Sequence, residues 1–246
     1  MADRIIHDAE PRGTETMTVA QILARSSNVG AITLAERLGQ HALAGWIARF
    51  GFGRRTGIDF PGESRGIMLP ADEWSGSTIG NVPIGQGIAV TPMQMASAYA
   101  AIANGGVWMR PHVVERLGDG LARPLFHRRV VTRWIARELT SMLQNVVLDG
   151  TGTLAQIPGY HVAGKTGTAA KPDPRGGYST SRYVASFVGF APATRPRVVV
   201  LVTVDEPRGA IWGGVVAAPA FKSIMQQTLQ YLSARPDAPA TTSAAP

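Results

Sequence analysis

Apolar residues along the first third of the chain follow a helical period. Ile22, Val29, Ile32, Ala35 and Leu38 recur at helix-like spacing between residues 18 and 50, and Gly39 and Gly51 supply stops. The period is lost over 51–90, where Gly and Pro are frequent and mostly loop is expected. Thr91-Pro92-Met93-Gln94 then reads as a helix start. Thr91 caps, Pro92 suits the first helical position, and Gln94 completes a capping box. That helix should end at Asn104-Gly105. Another should run from about Arg133 to Leu148, with Thr132 as cap and Gly150 as stop.

Beyond residue 150 the pattern changes to strands. Gly159–Thr168, Tyr183–Ala191 and Arg197–Asp205 are short, β-branched or aromatic, and bounded by turn residues. A last helix should follow Pro219 and reach about Leu232. Helices, then a strand meander, then one terminal helix predict an α+β fold with a mainly antiparallel sheet. Residues 1–232 read as one folded domain portion. Residues 233–246, SARPDAPATTSAAP, are small, polar and Pro-rich, and are expected to be a disordered tail.

Composition narrows the function classes. The 246 residues are 45% hydrophobic, enough to bury a sizeable core. Net charge is +7, yet Lys165, Lys171 and Lys222 are the only lysines among 24 basic residues. The arginines are scattered and not interleaved with aromatics, so no nucleic-acid partner is expected. The chain has no cysteine, which excludes disulfides and Cys-based zinc sites. No metal or cofactor is called for. The longest apolar run, Val198 to Val204, is too short to span a bilayer, and the N-terminus lacks the basic-then-apolar order of a signal peptide.

One lysine supports two chemical readings. Gly159 to Thr166 matches the P-loop pattern G-x-x-x-x-G-K-[ST], and Asp205-Glu206 closes an apolar run as a magnesium-binding carboxylate would. A P-loop needs a buried strand before it and a helix directly after it. Thr-Leu-Ala-Gln-Ile-Pro precedes Gly159, however, and Gly167, Pro172 and Pro174 leave no room for the helix. The other reading takes Lys165-Thr166-Gly167-Thr168 as the K-T-G-[ST] motif at the end of an edge strand. There Lys165 aims an ammonium into a cleft, and Thr166 and Thr168 offer hydroxyls to a substrate carboxylate. Gly167 lets an acyl donor lie against the strand backbone, and the Thr168 N–H faces a developing oxyanion.

Ser26-Ser27-Asn28 supplies a second motif between two helical stretches. A serine hydroxyl can relay a proton between a lysine and a leaving group, and Asn28 can hold a substrate amide through donor and acceptor. The plainer reading of the same residues is a helix cap.

With both motifs placed, the chain resembles class B penicillin-binding proteins, particularly the division transpeptidase. The likeness runs from about Thr14 to Leu232. It rests on Arg25-Ser26-Ser27-Asn28-Val29-Gly30, Phe50-Gly51-Phe52-Gly53, Gly57-Ile58-Asp59-Phe60-Pro61-Gly62-Glu63 and Gly85-Gln86-Gly87-Ile88-Ala89-Val90-Thr91-Pro92. It continues in His161 to Ala169, Phe187 to Pro192, Val204-Asp205-Glu206-Pro207 and Gly213-Gly214-Val215.

The resemblance implies a β-lactamase/transpeptidase-like fold and acyl transfer that cross-links peptidoglycan stem peptides with loss of a terminal D-alanine. It implies β-lactams as covalent inhibitors of the full-length protein, divisome proteins as partners, and a membrane-anchored parent with an extracytoplasmic catalytic domain. Ser26, Asn28, Lys165 and Thr168 would be catalytic, and Thr166, Gly167 and Thr168 would bind substrate. Asp205-Glu206 would be a strand end. Using the same motifs, a β-lactamase, a D,D-carboxypeptidase or a non-catalytic β-lactam sensor are alternatives. The family's nucleophile lies in S-x-x-K, but three positions before Lys165, Lys171 and Lys222 stand Val162, Thr168 and Pro219. The expectation is a portion of a parent protein begun at an internal methionine, without its early strands, inactive alone and with an open sheet edge.

Overall fold

The computed structural model describes residues 5–10, 13–117, 121–122 and 126–239. The helices are α1 (Val19–Arg25), α2 (Asn28–Leu38), α3 (Gln40–Phe50), α4 (Thr78–Asn81), α5 (Pro92–Ala103), α6 (Arg133–Asp149), α7 (Gly213–Val216) and α8 (Ala218–Tyr231). The strands are β1 (Val107–Met109), β2 (Arg116–Leu117), β3 (Leu121–Ala122), β4 (His127–Arg129), β5 (Ala163–Pro172), β6 (Tyr178–Ala191) and β7 (Val198–Asp205). The α+β class expected from the sequence holds. Among the described residues no helix is long and apolar enough to cross a membrane.

The helical stretch 18–50 is three helices. Thr18 starts α1 with a full capping box, Gln21 supplying the reciprocal side chain. Gly51, at φ 103°, ends α3 in the left-handed conformation that glycine adopts without a Cβ penalty. The box at Thr91 and Gln94 also forms as read. The 51–90 region, expected to be mostly loop, also carries α4 and two 3-10 turns, Ala71–Glu73 and Val82–Ile84. The sequence reading also missed the short pairs β1–β4 and β2–β3.

The described residues fall into two compact units, one of residues 5–6 with Ile32–Arg137, the other of His7–Ala31 with residues 138–239. In the first unit, Trp108, Val130, Val131, Ala101 and Ala136 form one core, and Ala44, Trp74 and Val82 another. Gln94 is almost fully buried at 1% exposure, so its polar atoms need partners. Its Oε1 accepts from the Thr91 N–H, and its Nε2 donates to the carbonyls of Arg54 and Arg65, 2.8 and 2.9 Å away. The helix cap therefore also ties down the loop before it. Glu63 closes that loop by accepting from the N–H and hydroxyl of Thr56 and the N–H of Gly57. Partial burial acts to raise the Glu63 pKa, but these hydrogen bonds outweigh it and hold the carboxyl below its ordinary range. Asp59 accepts from the N–H groups of Val113 and Val114. The conspicuous Gly57–Glu63 segment is thus structural.

The second unit contains the antiparallel sheet β5-β6-β7. The register runs Lys165↔Val188, Thr166↔Phe187 and Thr168↔Ala185 between β5 and β6, and Val188↔Leu201 between β6 and β7. Phe187, Phe221, Met225 and Leu229 are fully buried in its core with Val198, Val200 and Val202 packed against them, placing α8 on one sheet face. The Phe187 and Phe221 rings meet at 4.6 Å. Gly164 and Gly189 make room for them, because a Cβ there would lie 2.6 Å from the Phe187 ring or 3.1 Å from the Phe221 ring.

The tail reading needs correction. Ala234 is buried, and Asp237 accepts from the His161 N–H and from the N–H and hydroxyl of Thr194. Tyr160 donates its hydroxyl to the Ala234 carbonyl, and the N–H groups of Asp237 and Ala238 reach the Gly159 carbonyl. The tail is pinned at least to Ala238, and the rest of the disorder expectation, residues 240–246, lies outside the described residues.

Candidate active site

Lys165 lies on β5, an edge of its sheet as expected, but the strand starts later and continues past the motif to Pro172. No helix follows Thr166, so the P-loop reading fails on the geometry it requires. Lys165 Nζ donates to Ser26 Oγ at 2.7 Å, to the Thr166 carbonyl at 3.1 Å and to Thr166 Oγ1 at 3.2 Å. No carboxylate is among these partners. Burial disfavours the charged form and lowers the pKa from 10.5 to about 8.

Ser26 ends α1 in a left-handed conformation, φ 54° and ψ 44°. A non-glycine residue pays roughly 1–2 kcal/mol for this conformation. The turn separates the two serines. The Ser26 hydroxyl meets Lys165, while Ser27, only 3% exposed, accepts from the Gly30 N–H and donates to Asp8. Asp8 also accepts from the Val29 N–H, so Ser27 and Asp8 together cap α2. The helix-cap reading of the motif falls on Ser27, and its neighbour Ser26 is the serine that meets Lys165. Asn28 lies beside this turn, and its amide nitrogen donates to the His7 carbonyl at 3.1 Å.

The remaining tetrad residues are held by groups the sequence did not single out as partners. Thr166 Oγ1 and Thr151 Oγ1 are 2.7 Å apart. Thr168 Oγ1 accepts from the Gly213 N–H at 3.1 Å. Gly213 packs directly on the strand, since a Cβ there would lie 2.2 Å from the Ser186 carbonyl oxygen and 2.4 Å from that of Gly167. Gly214 similarly packs against the Thr151 carbonyl, 2.3 Å from where its Cβ would stand. A Cβ on Gly167 would sit 2.5 Å from Ser186 Oγ, so a side chain there would have to turn the Ser186 hydroxyl aside. Asp205 and Glu206 stand at the end of β7, where both pair with Lys171, at 3.0 and 2.8 Å.

Residues 4–226 match the family model described as the penicillin binding protein transpeptidase domain. The chain belongs to this family. Among curated members, it is 38% identical over 232 residues to stage V sporulation protein D of Bacillus subtilis, covering 91% of this chain and 36% of that protein. It is 36% identical over 224 residues to the peptidoglycan D,D-transpeptidase FtsI of Escherichia coli K12, covering 90% of this chain and 37% of that protein. This transpeptidase-family chain thus spans little more than a third of the length of those relatives. Its fold matches penicillin binding protein 3 of Mycobacterium tuberculosis, solved in complex with aztreonam, with a TM-score of 0.87 and 37% identity. That match covers 96% of this chain and 56% of the other.

Proposed function

We propose that this chain forms one wall of the acyl-transfer site of a peptidoglycan D,D-transpeptidase of the cell-division type. The observation that carries the reading is the 2.7 Å hydrogen bond between Lys165 Nζ and Ser26 Oγ, which joins the two family motifs. A lysine with its pKa brought to about 8 exchanges protons readily near neutrality, as a proton-relay partner must. In this reading Lys165 holds the Ser26 hydroxyl, and Ser26 passes a proton toward the leaving D-alanine. Thr166 and Thr168 turn their hydroxyls from Thr151 and Gly213 to the donor's terminal carboxylate. Gly167 lets the donor backbone run along β5, with the Thr168 N–H at the oxyanion. Asn28 exchanges the His7 carbonyl for an amide of the stem peptide.

No S-x-x-K occurs in these residues, so the acylated serine is contributed from outside them. The substrates are peptidoglycan stem peptides, and β-lactams are covalent inhibitors of the whole protein, as the relative solved with aztreonam supports. Divisome proteins are its partners and the site works outside the cytoplasmic membrane. The test extends the chain with its upstream coding sequence and labels it with fluorescent penicillin. Label is expected on a serine preceding Met1, and Lys165→Ala should slow labelling by about 100-fold or more. Labelling at the same rate without Lys165 would overturn the reading.

A further inference from the structure

Thr151 touches both halves of the site, and it belongs to neither motif. It lies just beyond α6, whose last carbonyls have other donors. The Gly152 N–H reaches the Val146 carbonyl at 2.9 Å, and Gln156 Nε2 reaches those of Val147 and Leu148 at 2.8 and 3.2 Å. The Thr151 N–H instead donates to the Ala24 carbonyl at 3.2 Å. Ala24 is in the last turn of α1, where carbonyls find no partner within the helix. Those of Ile22 and Leu23 are taken by the N–H groups of Ser27 and Ser26, and Thr151 takes the next one. The approach is close, since a Cβ on Gly150 would lie 2.4 Å from the Ala24 carbonyl oxygen.

The Thr151 hydroxyl bonds to the other motif, at Thr166 Oγ1, 2.7 Å away. Thr166 Oγ1 also accepts from Lys165 Nζ, which donates to Ser26 Oγ. The contacts close a circuit from Ser26 through Lys165, Thr166, Thr151 and Ala24 back along α1 to Ser26. A lysine ammonium rides on a flexible four-carbon stem, so its own bond to Ser26 does little to fix the two elements. Thr151 ties the end of α1 to β5 by a route that does not pass through the ammonium. A hydroxyl has one proton and two lone pairs. Thr166 can therefore donate to Thr151, or turn its proton to a donor's carboxylate and accept from Thr151 instead. The contact lasts through both states with its direction reversed.

We propose that Thr151 is a positioning residue for the relay. Its N–H fixes α1 and its hydroxyl fixes Thr166, which together hold Ser26 Oγ and Lys165 Nζ at bonding distance through acylation. The inference rests on the relay between Lys165 and Ser26 and adds the residue that keeps it assembled.

The test times acylation by fluorescent penicillin in the chain extended with its upstream coding sequence. Thr151→Val keeps the shape and the backbone N–H and removes only the hydroxyl, at an exposed position. It should slow acylation about tenfold, the scale of one lost positioning hydrogen bond. Thr151→Ser restores the hydroxyl and should acylate within about twofold of the parent protein. In a Ser26→Ala background, Thr151→Val should add almost nothing, because the group it positions is gone, whereas a general loosening of the fold would add its full cost. Undiminished acylation by Thr151→Val beside a slow Ser26→Ala would overturn the positioning role and leave the relay standing. A Thr151→Ser as slow as Thr151→Val, or full additivity with Ser26→Ala, would overturn it too. If Ser26→Ala itself acylates at the parent rate, the relay reading falls and takes this inference with it.

Discussion

Lys165 and Ser26 stand 139 residues apart in the chain and meet at 2.7 Å, the lysine on an edge strand and the serine on the left-handed last residue of a short helix. The contact is charge-assisted when the lysine is protonated, and among the described residues no carboxylate hydrogen-bonds to the ammonium. It joins an ammonium of lowered pKa to a hydroxyl held by backbone geometry, the arrangement a proton relay needs.

The lysine's titration gives a signed prediction. Its folded pKa, about 8, lies below its ordinary 10.5 because the charged form is buried. Between those values the unfolded chain binds the proton and the folded chain does not, so stability contributed by Lys165 rises as pH is raised through that window. Urea denaturation of the chain and of Lys165→Met at matched pH values should show the rise only with the lysine present. A pH-independent difference between the two would contradict the assigned burial effect.

Gly213 is expected to tolerate no side chain. Gly213→Ala drives a methyl into the Ser186 and Gly167 carbonyls, and overpacking of this kind costs about 1–3 kcal/mol. It should also break the hydrogen bond to Thr168 Oγ1. Denaturation midpoints report the first effect, and side-chain NMR of Thr168 reports the second.

Gln94 tests whether the α5 cap also anchors the preceding loop. Gln94→Glu keeps the shape but buries a carboxylate against the Arg54 and Arg65 carbonyls, which lose their donors. A destabilisation of about 2–4 kcal/mol is expected, with faster amide exchange at Thr56 and Gly57. A neutral outcome would mean that the loop is held elsewhere.

Asp237 addresses the tail. Asp237→Ala removes the acceptor for two backbone N–H groups and one hydroxyl at His161 and Thr194. A loss of about 2–4 kcal/mol follows, and the amides of His161 and Thr194 should exchange faster.

The elements legible in the sequence were those fixed by neighbours in the chain. Thr91, Pro92 and Gln94 specify a helix start locally, and α6 follows its own period and its Thr132 cap. Gly39 and Gly51 marked real stops for the same reason. Strand β5 was placed too early because its partners determine its length, with Ala170 set against Tyr183 and Pro172 against Tyr178. Helix α7 has four residues and is defined by contact with β5, so no period revealed it. The tail looked disordered by composition, yet Asp237 finds partners at His161 and Thr194, far away in the chain.

The same distinction applies to the site. The two motifs named Lys165, Thr166, Gly167, Thr168, Ser26 and Asn28, but not their supports. Only the left-handed turn at Ser26 decides which serine faces the lysine and which one caps α2. Asp8 and Thr151 carry no motif signal, since their roles exist only where the chain brings them beside Ser27 and Thr166.

The most direct test of the relay is a double-mutant cycle on the chain extended with its upstream coding sequence. Acylation by penicillin would be timed for the parent protein, Ser26→Ala, Lys165→Met and the pair. The account predicts that each single change slows acylation and that the double change is hardly slower than the worse single one, because both break one unit. Fully additive losses, or no loss from Ser26→Ala, would contradict it.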